Sequence, residues 1–465
     1  MARPRIDRAE ADAVLQELRR REEDDCDNFH HYELDAEHRL KNLFWADCDS
    51  RLDYFSHGDV VVFDTTYRTN KYGMPFVPFV GLSHHRTPTL FGCGIISDQS
   101  LDSYVWLLRA FLLSVAQRRP KSVITDGGDA VVAAVKIVFP DSNHRICSWH
   151  VEQAIEEHLH GASTRNEFRS LMCDACSPAA FEERWYGFMA KHRTAGNQRW
   201  LDGMFVHDKF FLGMASDQRA ECLATRLHTG LHGAMSLPDL LRHADACAHG
   251  MRRDSAALDA EANRSRVELT TGHRHLEESA ARWFTPANFY LLREEIKMID
   301  SFEVVEATAR GHPTFGKKVY MVVFRQRRGV LFHVECSGYG VGEVIRCSCR
   351  KMEREGLPCR HILCAMRHND SSLIPNCCAL RRMRRRGDVK FERLHEMEEL
   401  GRRVFDLASE DAQEFKEIKE FLEGWLDDRN AVLRGSGAVA VVDSNAADDA
   451  DSVTPVTKKT KWIEG

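Results

Sequence analysis

Two apolar runs, each ending on an aspartate, limit what this chain can fold into more than any other feature. They are Asp59-Val-Val-Val-Phe-Asp64 and Ser122-Val-Ile-Thr-Asp126. Two further strands are expected between them, Phe76–Leu82 and Thr89–Ile96, separated by Gly and Pro. A helix follows from about Leu101 to Gln117, with Tyr104, Leu107, Leu108, Phe111 and Val115 on one face and Ser100 at its N-cap. A short helix over Ala130–Phe139 and a strand over Arg145–Ser148 close the unit. Three strands, helix, strand, helix, strand is the order of a mixed sheet covered by helices, because parallel neighbours need a crossover. Functional groups in such sheets gather at the carboxyl ends of strands, where Asp64 and Asp126 both fall. Each aspartate can be read as a strand-ending turn residue or helix cap, or as half of a facing pair.

Composition narrows the setting. The 465 residues can hold two or three domains, and 43% hydrophobic with 29% charged residues describes a soluble chain with real cores. A net charge of −6 gives no whole-protein attraction to nucleic acid, so any such contact is local. Fifteen cysteines without a signal peptide point to a reducing compartment, where thiols are core residues or metal ligands. No apolar run approaches membrane-spanning length.

Ahead of the core, residues 8–25 read as a polar, charged helix. The aromatic stretch Phe29–Trp45 leads into a second, amphipathic helix over Leu40–Phe55, expected to pack under the first strand. After His150 the pattern turns helical, over Val151–His160, Phe168–Cys173, Ala179–His192 and Ala220–His232, and stays helical from Pro238 to Asp300. Glu221 opens one of these helices, where the helix dipole favours an acid. The texture changes near Gly311, with hairpin strands over Val319–Phe324 and Val330–Cys336 and a third strand over Glu343–Cys349.

That third strand carries Cys347 and Cys349, and Cys359 and His361 follow at the start of a helix over Arg360–Arg367. Residues i and i+2 of a strand share a face, so Cys347 and Cys349 can share one ion. Cys359 and His361 complete a Cys-Cys-Cys-His set of the kind that suits zinc. Cys147 and His150 are a thinner pair, readable as part of a second metal site or as packing. Leu380-Arg-Arg-Met-Arg-Arg-Arg386 is a dense cationic run. Its Arg381, Arg382, Arg384, Arg385 and Arg386 suit phosphate contact or nuclear import, or else a solvated helix face. A helix over Phe405–Leu426 follows, then a tail from Arg434 whose composition predicts disorder. Lys458-Lys-Thr-Lys461 in that tail is a fainter basic patch.

A family resemblance rests on Phe44-Trp-Ala-Asp47, Val62-Phe-Asp-Thr-Thr-Tyr-Arg-Thr-Asn-Lys-Tyr72, Ile124-Thr-Asp126 and His144-Arg-Ile-Cys-Ser-Trp-His150. It continues through Gln218–Glu221 and Cys347–His361. In these stretches the chain resembles the plant far-red impaired response family, which is derived from Mutator-like transposases and carries a SWIM-type zinc finger. The resemblance implies an α/β ribonuclease-H-like mixed sheet with a helical insertion, followed by a small β-hairpin/helix zinc finger. In such folds the first and fourth strands are neighbours, which would let Asp64 and Asp126 face each other. The implied layout is a lead-in over 1–55, the core over 56–150, helices over 151–300, the finger over 311–370, a basic segment and helix over 380–430, and the tail over 434–465.

In active transposases of this type an acidic trio holds Mg²⁺ or Mn²⁺, and the matching positions here are Asp64, Asp126 and Glu221. Cys147 and His150 match a Cys-x-x-His motif of the same enzymes. The chain departs from the family's pattern at Gly127-Gly128, where Gln-Asp is usual, and at Cys222-Leu-Ala224, where Ser-Met-Asn is usual. No cysteine–histidine framework precedes the core, where the family carries a DNA-binding module, so DNA contact is expected to be indirect. The resemblance therefore favours a zinc-binding nuclear transcription regulator and leaves catalysis open. Its expected partners are DNA and homo- or heterodimer mates, without a membrane role. An active metal-dependent transposase is the alternative.

Overall fold

The computed structural model describes residues 6–66, 70–173, 178–198, 200–201, 226–227, 229–264, 266–310, 317–337, 344–369, 371, 373–384, 404 and 411–437. It divides into two units, Met1–Leu394 and His395–Gly465.

The first unit is built on a mixed sheet of seven strands. In chain order these are β1 (Phe29–Leu34), β2 (Leu40–Ala46), β3 (Val60–Phe63), β4 (Phe76–Leu82), β5 (Pro88–Ile95), β6 (Ser122–Thr125) and β7 (Asn143–Ile146). Across the sheet they run β1-β2-β5-β4-β3-β6-β7. β3 pairs antiparallel with β4 and parallel with β6, and β6 pairs parallel with β7. Helices α1 (Arg8–Asp24), α2 (Cys48–His57), α3 (Leu101–Ser114) and α4 (Asp129–Val138) belong to the same layers.

Alternation along each strand divides the core in two. Val61, Phe63 and Val123 point into one apolar cluster with Phe79, Phe91 and Phe111, where α3 and α4 bury Leu107, Leu108, Val131 and Val135. Val60, Val62 and Ile124 point into the other with Trp45, Phe76 and Val80. That second cluster also takes Val14 and Leu18 of α1 and runs on to the finger. Strands covered on both faces read as continuous apolar runs, and β3, β4 and β6 are buried throughout.

The same covering explains one error of the sequence reading. Leu40–Ala46 is strand β2, not the start of an amphipathic helix. Leu40, Leu43 and Trp45 face one cluster while Phe44 and Ala46 face the other, so apolar residues fall on both faces and mimic a helical spacing. The helix begins only after Asp47, whose carboxylate accepts from the Ser50 N–H (2.7 Å) as an N-cap. Helix α3 stops at Ser114, short of Gln117, because Ala116 and Gln117 turn left-handed. The Gln117 N–H then closes onto the Leu112 carbonyl (2.8 Å).

Beyond the sheet, α5 (Ser148–His158), α6 (Ala162–Cys173) and α7 (Pro178–His192) enclose their own cluster around Phe168, Trp185 and Phe188. The long helix α8 (Leu237–Arg264) returns to the sheet and is tied by Arg252 to Asp47 and by Asp245 to Arg21. Helices α9 (Arg274–Trp283) and α10 (Pro286–Lys297) lead into a second, antiparallel sheet. It consists of β8 (Phe302–Arg310), β9 (Lys317–Phe324), β10 (Arg327–Ser337) and β11 (Val344–Cys347), in the order β11-β10-β9-β8. Strand β8 has no counterpart in the sequence reading, which took strand texture to begin only near Gly311. Two short helices, α11 (Lys351–Glu355) and α12 (Arg360–His368), complete this region.

In the second unit, α13 spans Ala412–Gly437, where the sequence suggested Phe405–Leu426. Glu221, most of the helix expected over Ala220–His232, Arg385, Arg386 and the tail beyond Gly437 lie outside the described residues. Among the described residues no helix is long and apolar enough to cross a membrane.

Candidate functional site

The finger gathers its four candidate ligands from three short pieces of chain. Strand β11 pairs with β10, with Cys347 opposite Val334, and so delivers Cys347 at its end. Cys349 does not extend the strand as the i, i+2 argument assumed. It sits in the turn that follows, closed by the Arg350 N–H onto the Cys347 carbonyl (2.9 Å) and by left-handed Arg350. The Ser348 N–H donates to the His333 carbonyl and the His333 N–H to Ser348 Oγ (2.8 and 3.0 Å), which fixes this knuckle against β10. Cys359 is the N-cap residue of α12, and His361 lies in that helix's first turn.

The ligand atoms of Cys347, Cys349, Cys359 and His361 all lie within 4.8 Å of one another. Cys347 Sγ is 3.6 Å from His361 Nδ1. Tetrahedral zinc with Zn–S of ~2.3 Å has ligand–ligand edges of ~3.8 Å, so the cluster fits that ion with little adjustment. Phe332 stacks on the His361 ring (centroids 3.8 Å apart, 15°) and Phe302 meets its edge at 4.8 Å, giving the imidazole an apolar wall. Hydrogen bonding from the neighbouring Cys347 and Cys359 thiols holds Cys349 far below the usual thiol range. Its hydrogen bond with Cys349 pushes Cys347 up, and burial pushes Cys359 up. A metal ion would take the place of the shared protons.

The cluster is also braced from outside. Glu295 of α10, 5% exposed, accepts from the Arg360 N–H (2.9 Å), Nε (2.8 Å) and Nη2 (2.7 Å). Burial works to raise the Glu295 pKa, but the Arg360 hydrogen bond and the charges of Lys351 and Arg360 hold it below the usual carboxylate range. Nothing local in the sequence marks this clamp, because its partners lie on separate elements.

Asp64 and Asp126 each follow their strand directly, and the parallel register sets Val62 beside Ile124 and carries the two carboxylates side by side. The Thr65 N–H donates to Asp126 Oδ2 (2.8 Å), and the Thr65 hydroxyl contacts the same oxygen. Tyr104 Oη donates to Thr65 Oγ1 (2.9 Å) from α3. Asp64 Oδ1 accepts from both the N–H and the hydroxyl of Thr66 (2.8 and 2.7 Å). His150 Nε2, in the first turn of α5, lies 3.4 Å from Asp64 Oδ2. Burial pushes the Asp64 pKa up, and the charge of Asp126 adds to this against the pull of Thr66 and His150.

The Thr65-Thr66 pair completes this site and went unnoticed in the sequence, although hydroxyls directly after a strand-ending aspartate are the available signal. Cys147 caps α5, is buried, and donates its N–H to the Thr125 carbonyl (2.7 Å). Together with His150 it joins no group of three candidate metal ligands among the described residues.

The basic run is partly turned inward. Arg382 is 7% exposed, forms an ion pair with Asp59, and donates to the His57 and Leu82 carbonyls (3.1 and 2.6 Å). Arg384 lies over the Trp283 ring, 4.4 Å from its centroid. These two arginines thus make contacts within the fold.

Residues 60–154 match the MULE transposase domain and residues 332–370 the SWIM zinc finger. A mixed sheet ending in paired aspartates, followed by a Cys/His finger, thus fits a transposase-derived protein with a zinc-finger module. The chain is 27% identical to Protein FAR1-RELATED SEQUENCE 5 of Arabidopsis thaliana over 81% of its own length and 49% of that protein's. It is 25% identical to Protein FAR-RED IMPAIRED RESPONSE 1 of the same plant, over 81% and 46%. With Protein FAR1-RELATED SEQUENCE 6 the identity is 28% over 79% and 54%. The chain is thus similar to far-red impaired response proteins along most of its length, and it spans about half the length of the relatives it matches.

Proposed function

We propose that the chain is a nuclear transcription regulator that retains a ribonuclease-H-like transposase core as scaffold and uses a zinc-bound SWIM finger, acting through DNA and partner proteins. The strand order β5-β4-β3-β6-β7 supports the core assignment, with β3 antiparallel to one neighbour and parallel to the other. The contrast between the two candidate sites carries the functional reading. Protein hydrogen-bond donors already engage both carboxylates of the acidic pair, whereas the Cys/His cluster converges on a volume the size of one ion. The similarity to far-red impaired response proteins supports the transposase-derived, zinc-binding part of this reading, and the partners we propose are DNA and a second copy or a relative of this chain.

A DDE-type transposase is the second reading. It draws on the adjacency of Asp64 and Asp126, with Glu221 as the third acid and Mg²⁺ or Mn²⁺ as the ion pair.

The test is a reporter assay in plant cells with the chain fused to a fluorescent protein. Nuclear accumulation and a change in reporter transcription that Cys349→Ser abolishes, while Asp126→Asn leaves it intact, support regulation. Mn²⁺-dependent cleavage or joining of DNA strands by the purified chain, lost in Asp126→Asn, overturns it in favour of the transposase.

A further inference from the structure

The hairpin between β4 and β5 carries two adjacent histidines that neither site uses. The Ser83 N–H donates to the Thr87 carbonyl (2.8 Å), the Arg86 N–H donates to the Ser83 carbonyl (3.0 Å), and Arg86 turns left-handed at φ 59°. The His84 carbonyl accepts from Thr285 Oγ1 and Asn288 Nδ2, both at 2.9 Å, so the hairpin tip is pinned from the start of α10. Held this way, both rings aim at one point. His84 Nε2 is 2.7 Å and His85 Nε2 2.9 Å from the same oxygen, Oδ1 of Asp259 on α8. The two imidazoles are 1% and 3% exposed, and the carboxylate 29%. Asp259 lines a cavity of about 350 Å³ together with His57, Ser83, Asp53 and Thr89.

We propose that His84, His85 and Asp259 form a second metal site, for a borderline divalent cation of the zinc class, with its remaining coordination position facing that cavity. Three observations carry it. The candidate ligand atoms of all three residues lie within 4.8 Å of one another. Two imidazole nitrogens with one carboxylate are the donor set of zinc sites that keep an open position, and they are too nitrogen-rich for Mg²⁺ or Ca²⁺. The third observation is mechanical. A tetrahedral site with N and O ligands has edges of ~3.3 Å, so the carboxylate must withdraw by roughly half an ångström to admit the ion. Asp259 is the solvent-facing member of the trio and has that freedom, while the histidines are the fixed ones.

The site would clamp the hairpin to α8 at the far end of the sheet from the aspartates, because Val80 pairs with Val62 and Phe79 with Phe63. It is independent of the functional reading above.

The test uses the full chain, stripped with chelator and refilled with Zn²⁺ or Co²⁺. Two metal equivalents are expected, one with thiolate-to-cobalt charge-transfer bands and one without. Asp259→Ala should remove the thiolate-free equivalent alone or weaken it about tenfold or more in competition with a chromogenic chelator, and Cys347→Ser should remove the thiolate one alone. A single equivalent in the wild type, or two equivalents with unchanged competition in Asp259→Ala, overturns the proposal. If Asp259→Ala fails to fold, the Cys347→Ser chain decides: one thiolate-free equivalent supports the site and none overturns it.

Discussion

The finger and the acidic pair are both sets of candidate metal ligands, yet they are coded in opposite ways. The finger's ligands come from one stretch, Cys347 to His361, and each is placed by a local device: a strand end, a turn, a helix cap and a first helical turn. The acidic pair comes from β3 and β6, which are distant in the chain and adjacent only through the parallel pairing of the sheet. The finger's sulfurs have chiefly one another as polar neighbours, whereas the Asp64 and Asp126 oxygens accept bonds from Thr65 and Thr66. A cluster of thiols without other donors gains most from an ion; carboxylates with donors of their own can stand as scaffold. Metal removal should therefore be severe at one site and mild at the other.

Cys359→Ser is expected to show the largest effect. Cys359 is fully buried and begins α12, so its loss removes a ligand and uncouples the helix from β11. Structural zinc binding is folding free energy, and we expect a loss of at least about 3 kcal/mol in the finger. Limited proteolysis and zinc content of the full chain check this: 332–370 should become cleavable and one zinc equivalent should disappear. An uncut, zinc-replete variant would remove the distinction drawn above.

Glu295→Gln should come next, at about 2 kcal/mol, because it strips the countercharge from Arg360 while keeping the shape. The pH dependence has a definite sign. The Glu295 pKa is depressed in the folded chain, so its contribution is present above the unfolded value of about 4.3 and is lost as pH falls through the lower folded value. Denaturant titrations across that acid range should show the wild type converging on the Glu295→Gln variant. A constant gap between the two would assign the loss to packing instead of charge.

The same local-versus-topological split governs what could be read from the chain. The Cys/His set was legible because its ligands are neighbours in sequence, and the apolar runs of β3, β4 and β6 were legible because burial on both faces leaves no polar interruption. That burial hid β2, whose two apolar faces resemble a helix. Strand β8 was lost for a different reason: Glu303, Glu306 and Arg310 leave Phe302–Arg310 without the apolar run or clean alternation that marks a strand. The inward turn of Arg382 depends on Asp59 and on the His57 and Leu82 carbonyls far upstream. No window of sequence around Arg382 contains them.

Asp64→Asn should show the smallest effect and bears most directly on the acidic pair. Burial and the Asp126 charge raise the Asp64 pKa, so the folded state favours the neutral carboxyl more than the unfolded chain does. As pH falls through that raised value towards the unfolded value of about 3.9, the wild type gains stability relative to a chain with an ordinary aspartate. Asparagine supplies the neutral form at every pH and keeps an oxygen for the Thr66 donors. The variant should therefore match or exceed the wild type at neutral pH, within about 1 kcal/mol, and lose the acid-side gain. Scaffold carboxylates also predict that millimolar Mg²⁺ or Mn²⁺ leaves the thermal midpoint of both chains unchanged. A metal-dependent rise in the wild type that vanishes in Asp64→Asn would mean that Thr66 and His150 yield Asp64 to an ion. The acidic pair would then be a working metal site like the finger.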